Sequence, residues 1–514
     1  MALPTGTRGQ AGHQPAHAGQ QPVHAGQQPA HAVVIVGTGF SGIGMAIALK
    51  RAGVHNFVIL EKADRVGGTW RENTYPGCAC DIRSHLYSYS FEPKADWSRE
   101  FAPWHEILEY IDHCVDKYGI RPHIRFGTEM TGAEYDEQHA AWQVSTADGS
   151  LVRGRALVIG QGPLHVPNVP ELPGLERFEG QAFHSAHWDH EYDLAGKRVA
   201  VIGTGASAIQ FVPQIAARTS HLTVFQRTPP WIVPRPDRPF TEAEKRRFQR
   251  IPAARIAHRY MIYWLQESLV LGFEHPQLIK AAERLGRGHI ARQVHDPGLR
   301  RKLTPGYTLG CKRTLVSSDY YPAFNRPNVD LETAGIAEIR EHSILTRDGR
   351  EIEVDAIIFG TGFHVTDAMS RLHIVGRDGL KLADAWREGI TAHLGTTVAG
   401  FPNLFFLVGP NTGLGHNSII FIIEAQVRYI MSCLRLVARS QARSIEVRPQ
   451  AQQRFNQWVQ EKSSGSVWLK GGCASWYLDA EGVNRALWPG STVSFWLRLR
   501  RARAADFRLE GAVA

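Results

Sequence analysis

The chain has 514 residues, length for two to three domains. Its hydrophobic content of 43% and charged content of 21% are those of a globular protein, not of a disordered or membrane-embedded one. The net charge of +9 favours anionic ligands such as nucleotide phosphates, but no Lys/Arg block with interleaved aromatics is present, so nucleic acid is excluded as a partner.

In chain order, residues 12–32 read as three seven-residue units, GHQPAHA, GQQPVHA and GQQPAHA. A proline in every unit forbids a coiled coil and little is apolar, so residues 1–32 are expected to be a disordered tail. His17, His24 and His31 recur every seven residues, yet no metal site is expected. The tail lacks the charged start and apolar core of a signal peptide.

Val33–Val36 is an all-apolar run, the mark of a parallel strand buried on both faces. Gly37-x-Gly39-x-x-Gly42 follows, enclosing Phe40, and then a helix with Ile43, Ala46 and Ile47 on one face. Phe57–Leu60 is a second strand, and Glu61 ends it. Gly37 allows the turn, Gly39 admits a pyrophosphate, Gly42 lets helix approach strand, and Glu61 accepts from a ribose hydroxyl. Strand, turn, helix, strand and acid together are a dinucleotide-binding unit.

A second copy spans 197–227. Val199–Ile202 is its strand, Gly203-x-Gly205-x-x-Ala208 its turn, with Ala206 and Ser207 inside, and Leu222–Phe225 its next strand. No acid follows; Arg227 and Thr228 stand there instead, and Arg pairs with the 2′-phosphate of NADP where an acid would repel it. Two such sites in one chain point to two cofactors passing electrons, FAD and NADPH.

Between and after the turns lie further motifs. Gly67-Gly68-Thr69-Trp70 leads through Tyr75-Pro76-Gly77 to Asp81, and FEGQAFHSAHWD at 178–189 carries His184 and Trp188 just before the second turn. Thr241-Glu242-Ala243-Glu244 forms a capping box at the start of a basic, helix-rich stretch. Cys311-Lys312-Arg313 is followed by Asp319-Tyr320-Tyr321 and Phe324-Asn325. Ala356–Phe359 ends in Gly360-Thr361-Gly362-Phe363; Leu404–Val408 reads as a buried strand, and a helix begins near Ser418. The longest candidate for a membrane span, 403–423, is broken by Gly409, Pro410 and Gly413, so no integral membrane segment is expected. The six cysteines show no disulfide framework and no CxxC pair, which points to a reducing, cytoplasmic setting.

The 178–189 segment fits FxGxxxHxxxW followed by Pro or Asp at every fixed position, and the 67–81 segment fits GGxWxxxxYPGxxxD. In these and in the Cys311–Asn325 strip the chain resembles the type I Baeyer–Villiger monooxygenases, from about Val33 to about Phe495. Gly160-Gln161-Gly162 departs from the family's usual Ala-Thr-Gly.

The resemblance implies an α/β fold of two Rossmann-like domains. FAD would be bound by 33–165 and 359–514, and NADP by 166–358, with a helical insertion at about 236–305. It implies that NADPH reduces FAD and that reduced flavin and O2 give a C4a-peroxide. That species inserts one oxygen atom beside a ketone or aldehyde carbonyl, giving an ester or lactone. It assigns Arg313 as the fixed cation, Asp81 as its positioning acid and Lys312 as a second contact to the 2′-phosphate. Gly68, Thr69, Trp70 and Asp81 would lie by the flavin, and Trp188 by NADP. His184 would be a support within a hinge strip, not a general acid or base. Tyr260, Met261, Tyr263, Trp264, the Gly409–Asn417 loop and Trp468–Trp488 are candidate walls for an apolar substrate, with core packing the equal alternative for their aromatics. N- or S-oxygenation by the same flavin, or reduction without oxygenation, are the alternatives. The oligomeric state is not legible.

Overall fold

Two sheets, each with unbroken apolar runs in its central strands, organise the molecule. The computed structural model describes residues 31–270, 272, 276–365 and 372–512; the repeats up to residue 30, with His17 and His24, lie outside them. Strands β1 (His31–Val36), β2 (Phe57–Leu60) and β3 (Ile124–Arg125) run parallel, and β1 also pairs in parallel with β6 (Leu151–Ile159). Through β6 the sheet continues antiparallel into β5 (Ala141–Thr146) and β4 (Met130–Asp136). His31 and Ala32, placed in the tail by the sequence reading, belong to β1.

The second sheet is wholly parallel. It contains β7 (Gln181–His184), β8 (Arg198–Ile202), β9 (His221–Phe225), β10 (Val329–Glu332) and β11 (Ala356–Phe359), in the order β10-β9-β8-β11-β7. The chain then returns to the first sheet, where β12 (Ile374–Val375) pairs with β4 and β13 (Leu404–Phe406) with β6. This is a mixed α/β architecture with two Rossmann-like sheets. Val34, Ile35, Leu157, Val158, Ala200 and Val201 have no solvent exposure. Each larger side chain among them adds roughly 1.5–3 kcal/mol of burial.

Helix α1 (Phe40–Arg51) departs from the expected one-sided pattern: from Phe40 to Ile47 every residue is buried. It is held between the sheet, α2 (Trp104–Lys117) and, far along the chain, α7 (Ile419–Arg439). Helix α3 (Ala208–Ile215) follows the second turn. The insertion carries α4 (Glu242–Arg250), α5 (Pro252–Ser268) and α6 (Pro276–Gln293). Its capping box is present: the Glu244 amide donates to Thr241 Oγ1 at 3.2 Å, and the Thr241 amide to Glu244 Oε2 at 2.8 Å.

The cysteine reading is corrected. Cys311 and Cys473 form a disulfide, while Cys78, Cys80, Cys114 and Cys433 are free and buried. The partners are separated by 162 positions, so no local spacing announces the bond. Among the described residues no helix is long and apolar enough to cross a membrane.

Candidate active site

Gly37 and Gly39 of the first turn and Gly203 and Gly205 of the second open onto one cavity of about 1260 Å3. That exceeds the ~300–1,000 Å3 typical of a single drug-sized ligand. Gly37 has φ +95°, and a Cβ there would meet the Gly160 carbonyl oxygen at 2.9 Å. A Cβ on Gly42 would stand 1.9 Å from Gly37 O, so only glycine lets the helix start at this point. At the second turn Gly203 has φ +105°, and its Cβ would meet Gly360 O at 2.5 Å. These backbones approach one another as a pyrophosphate cradle requires, and the residues fit two dinucleotides. Gly160, Gln161 and Gly162 line the same wall, so the departure from the usual tripeptide keeps the small residue that faces Gly37.

At the first turn Glu61 is buried and well anchored. Its Oε2 accepts from the Thr38 amide at 3.0 Å and its Oε1 from the Ala63 amide at 3.0 Å, with Arg71 Nη1 at 3.0 Å. Arg71 had no signal in the sequence beyond its place in the Gly-Gly-Thr-Trp segment. Gly39, Phe40, Gly68, Thr69 and Trp70 line the cavity. The Phe40 ring packs edge-on against Tyr87 and Tyr89, and the Trp70 indole donates to Tyr87 Oη at 3.3 Å.

At the second turn Gly205, Ala206, Ser207, Arg227, Thr228 and Lys312 line the cavity. Burial and then the Arg227 charge push the Lys312 ammonium below its ordinary pKa. Among the described residues neither cation has a carboxylate partner. Two converging, unneutralised cations suit a dianionic phosphate.

Arg313 reaches the same cavity, and its side chain is half-buried. Its Nε and Nη2 donate to Asp81 Oδ2 at 3.0 and 2.5 Å, and its Nη1 to Leu414 O at 3.5 Å. The Asp81 charge holds the guanidinium above even its usual pKa. Asp81 arrives through the Tyr-Pro-Gly turn, which is stitched to α3: Gln210 Nε2 donates to Ala79 O at 2.9 Å, and Tyr75 Oη donates to Gln210 Oε1 at 2.9 Å. A Cβ on Gly77 would meet Gln210 O at 2.8 Å, which explains that glycine. Behind Arg313, the disulfide joins Cys311 to the loop whose Ala474, Ser475 and Trp476 form the adjoining wall.

His184 and Trp188 are not on the cavity wall. His184 ends β7, paired in register with Phe359; its Nδ1 accepts from the Ala186 amide at 3.1 Å, and its ring lies edge-on to Phe363. Burial pushes its pKa down to about 4, so it is neutral at pH 7. Trp188 packs on Phe183 and Phe211, with centroids 5.3 Å away in each case.

The expected substrate walls are partly corrected. Gly409, Pro410, Thr412, Gly413, Leu414 and Asn417 do line the cavity. Tyr260, Met261 and Trp264 face solvent, and Tyr263 faces inward against Phe421. Trp468 and Trp488 are buried in the core, leaving Trp476, Arg485 and Ala486 at the wall. Missed in the sequence was Glu267 of α5, buried behind Asn417. It accepts from Asn417 Nδ2 at 2.7 Å, the Thr492 amide at 2.6 Å and Thr492 Oγ1 at 2.7 Å, with His416 Nε2 at 3.4 Å.

Two dinucleotide cradles sharing one cavity, with a cation–carboxylate pair on its wall, define an oxidoreductase that holds two nucleotide cofactors together. A family profile described as pyridine nucleotide-disulphide oxidoreductase matches residues 34–256. That match spans the nucleotide-binding folds; Cys78 and Cys80 are free and buried, not a redox pair. A Baeyer–Villiger monooxygenase of Pseudomonas aeruginosa is 50% identical over 479 residues, 93% of this chain and 91% of that protein. Cyclohexanone monooxygenase from Rhodococcus sp. Phi1, solved bound to NADP+, superposes with a TM-score of 0.84 at 32% identity, covering 95% of this chain and all of that one. OTEMO, solved with FAD and NADP, gives 0.84 at 28% identity over 94% of this chain and 100% of its own. The chain belongs to the Baeyer–Villiger monooxygenase family.

Proposed function

We propose that this chain is an FAD- and NADPH-dependent monooxygenase that inserts one atom of O2 beside the carbonyl of an apolar ketone or aldehyde, giving an ester or lactone. The observation that carries this reading is the Arg313–Asp81 pair on the wall of a cavity common to both cradles. FAD, reduced by NADPH, supplies the activated oxygen.

The chain's own residues do the rest. Gly37 and Gly39 admit the FAD pyrophosphate, Gly42 lets α1 start against the turn, and Glu61 takes a ribose hydroxyl. Gly203 and Gly205 admit that of NADPH, with Arg227 and Lys312 on its 2′-phosphate. Arg313 is a cation that cannot lose its proton, set where negative charge grows on the carbonyl oxygen. Asp81 fixes the plane of that guanidinium. Leu414, Ile419 and Trp476 help exclude water, which protects a reactive oxygen donor from side reactions. His184, neutral and packed at the end of β7, acts as a positioning residue where the chain crosses between sheets. The cytoplasm remains the proposed location on the supply of NADPH alone, because the Cys311–Cys473 bond removes the argument from free thiols.

Arg313→Ala should keep FAD and consume NADPH, yet yield hydrogen peroxide in place of ester. Product analysis across a ketone, aldehyde and sulfide panel tests it. Ester formation by that variant at near the parent rate would overturn the assignment, and sulfoxide as the main product of the parent would move it to heteroatom oxidation.

A further inference from the structure

Helix α5 is turned inside out. Its exposed positions include Ala253, Ile256, Ala257, Tyr260, Met261, Trp264, Leu265 and Ser268, and none of its exposed residues carries a charge. Ile256, Tyr260, Met261, Trp264, Leu265 and, just past its end, Leu269 are each 49–60% exposed. The charged groups point inward. Arg259 donates to His85 O at 2.8 Å and Ser88 O at 3.0 Å, and Glu267 is buried against Asn417 and Thr492. A helix packed on a protein normally shows the reverse, with its apolar stripe on the core and its charges in water. Nine of the sixteen exposed large hydrophobic residues described fall between Ile251 and Leu285. That concentration marks a surface meant to meet something apolar.

The flanking helices show what that is. The exposed residues of α4 include Arg246, Arg247 and Arg250 against a single acid, Glu242. Those of α6 include Lys280, Arg284, Arg287 and Arg292 with no acid among the described residues, and Leu278 and Leu285 stand beside them. Glu283 is half-buried and accepts from the Leu309 amide at 3.1 Å. An apolar face with a Trp and a Tyr, packed beside α4 and followed along the chain by α6, both rich in Arg and Lys, has the chemistry of a helix lying in the headgroup boundary of an anionic bilayer. A second copy on a two-fold axis would set cations against cations.

We infer that the outward face of α5, with the cations of α4 and α6, is a docking surface for an anionic phospholipid bilayer. The protein lies on the surface and does not span it, in keeping with the absence of a spanning helix among the described residues. Docking brings the enzyme to the phase in which apolar carbonyl compounds concentrate. It also places lipid on one side of α5 while Glu267, on the other side, holds the cavity residue Asn417.

The test is flotation of the FAD-loaded full chain with vesicles. One set mixes phosphatidylglycerol with phosphatidylcholine and the other is phosphatidylcholine alone. The expected result is flotation with the mixed vesicles, weakened by salt, and at least ~10-fold less with the neutral set. The triple variant Tyr260→Ser, Trp264→Ser, Leu265→Ser should lose at least ~10-fold of this partitioning while keeping its flavin and its turnover of a water-soluble ketone. Arg284→Glu with Arg287→Glu should lose the preference for the anionic set. No flotation with the mixed vesicles overturns the proposal. So does equal flotation of parent and triple variant, or a dimer by sedimentation velocity that the triple variant abolishes, which would assign the face to a second copy. Flotation and sedimentation are independent of the oxygenation chemistry, so failure of the docking proposal leaves that reading standing.

Discussion

Glu267 illustrates how a residue remote from the reacting atoms sets the site. Burial pushes its carboxyl up, but the hydrogen bonds from His416, Thr492 and Asn417 outweigh it and hold the pKa down to about 2. An unperturbed carboxyl titrates near 4.5, so this stabilisation is fully present above that pH and is lost as pH falls towards 2. A shift of this size amounts to roughly 3 kcal/mol. Glu267→Gln should therefore flatten the fall of Tm between about pH 5 and 3, read by thermal denaturation in a buffer series. With Asn417 less firmly held, the variant should also release more hydrogen peroxide per NADPH consumed. Arg227 gives a second prediction at this scale. Arg227→Ala should raise KM for NADPH about tenfold, a loss of ~1.4 kcal/mol, and leave that for NADH unchanged. Equal effects on the two nucleotides would remove the 2′-phosphate contact from the account.

At the scale of elements, the turns are the least tolerant part of the structure. Gly42→Ala sets a methyl 1.9 Å from Gly37 O, and a backbone carbonyl has no rotamer with which to give way. The purified variant is expected to be colourless, with NADP binding through the second turn retained. The strands and turns were legible because a parallel strand buried on both faces needs an unbroken apolar run, and Val33–Val36, Phe57–Leu60, Val199–Ile202 and Ala356–Phe359 supply it. The run at Leu404–Val408 misled at its end. The strand stops at Phe406, because the Val408 amide turns to donate to Gln426 Oε1 at 2.9 Å and its φ swings to +56°. Apolar composition also says nothing of which way a helix faces. Tyr260 and Trp264 face solvent and not the cavity because Arg259 and Glu267 hold the other side of α5 inward. The burial of α1 all round depends on α7, whose sequence lies hundreds of positions away, so no local pattern carries it.

At the scale of the whole molecule, the Cys311–Cys473 bond closes a loop spanning 162 positions. On a chain-entropy argument a bond of that span contributes up to about 5 kcal/mol by restricting the unfolded chain. Cys473→Ser should lower the denaturant midpoint, and the double variant with Cys311→Ser should match it, because one bond can be lost only once. Peptide mapping without reductant should recover the two cysteines in one linked fragment; two separate thiol peptides would contradict the bond.

The strand Leu404–Phe406 sits against Leu157–Ile159 in the first sheet, whereas every strand of the second sheet falls between Gln181 and Phe359. On a ribosome the middle of the polypeptide can therefore complete its sheet while the earlier-made half still waits for a strand not yet translated. Nascent chains arrested shortly after Phe359 has emerged should already retain a nucleotide on the second cradle. Those chains should gain flavin only once the remainder is released.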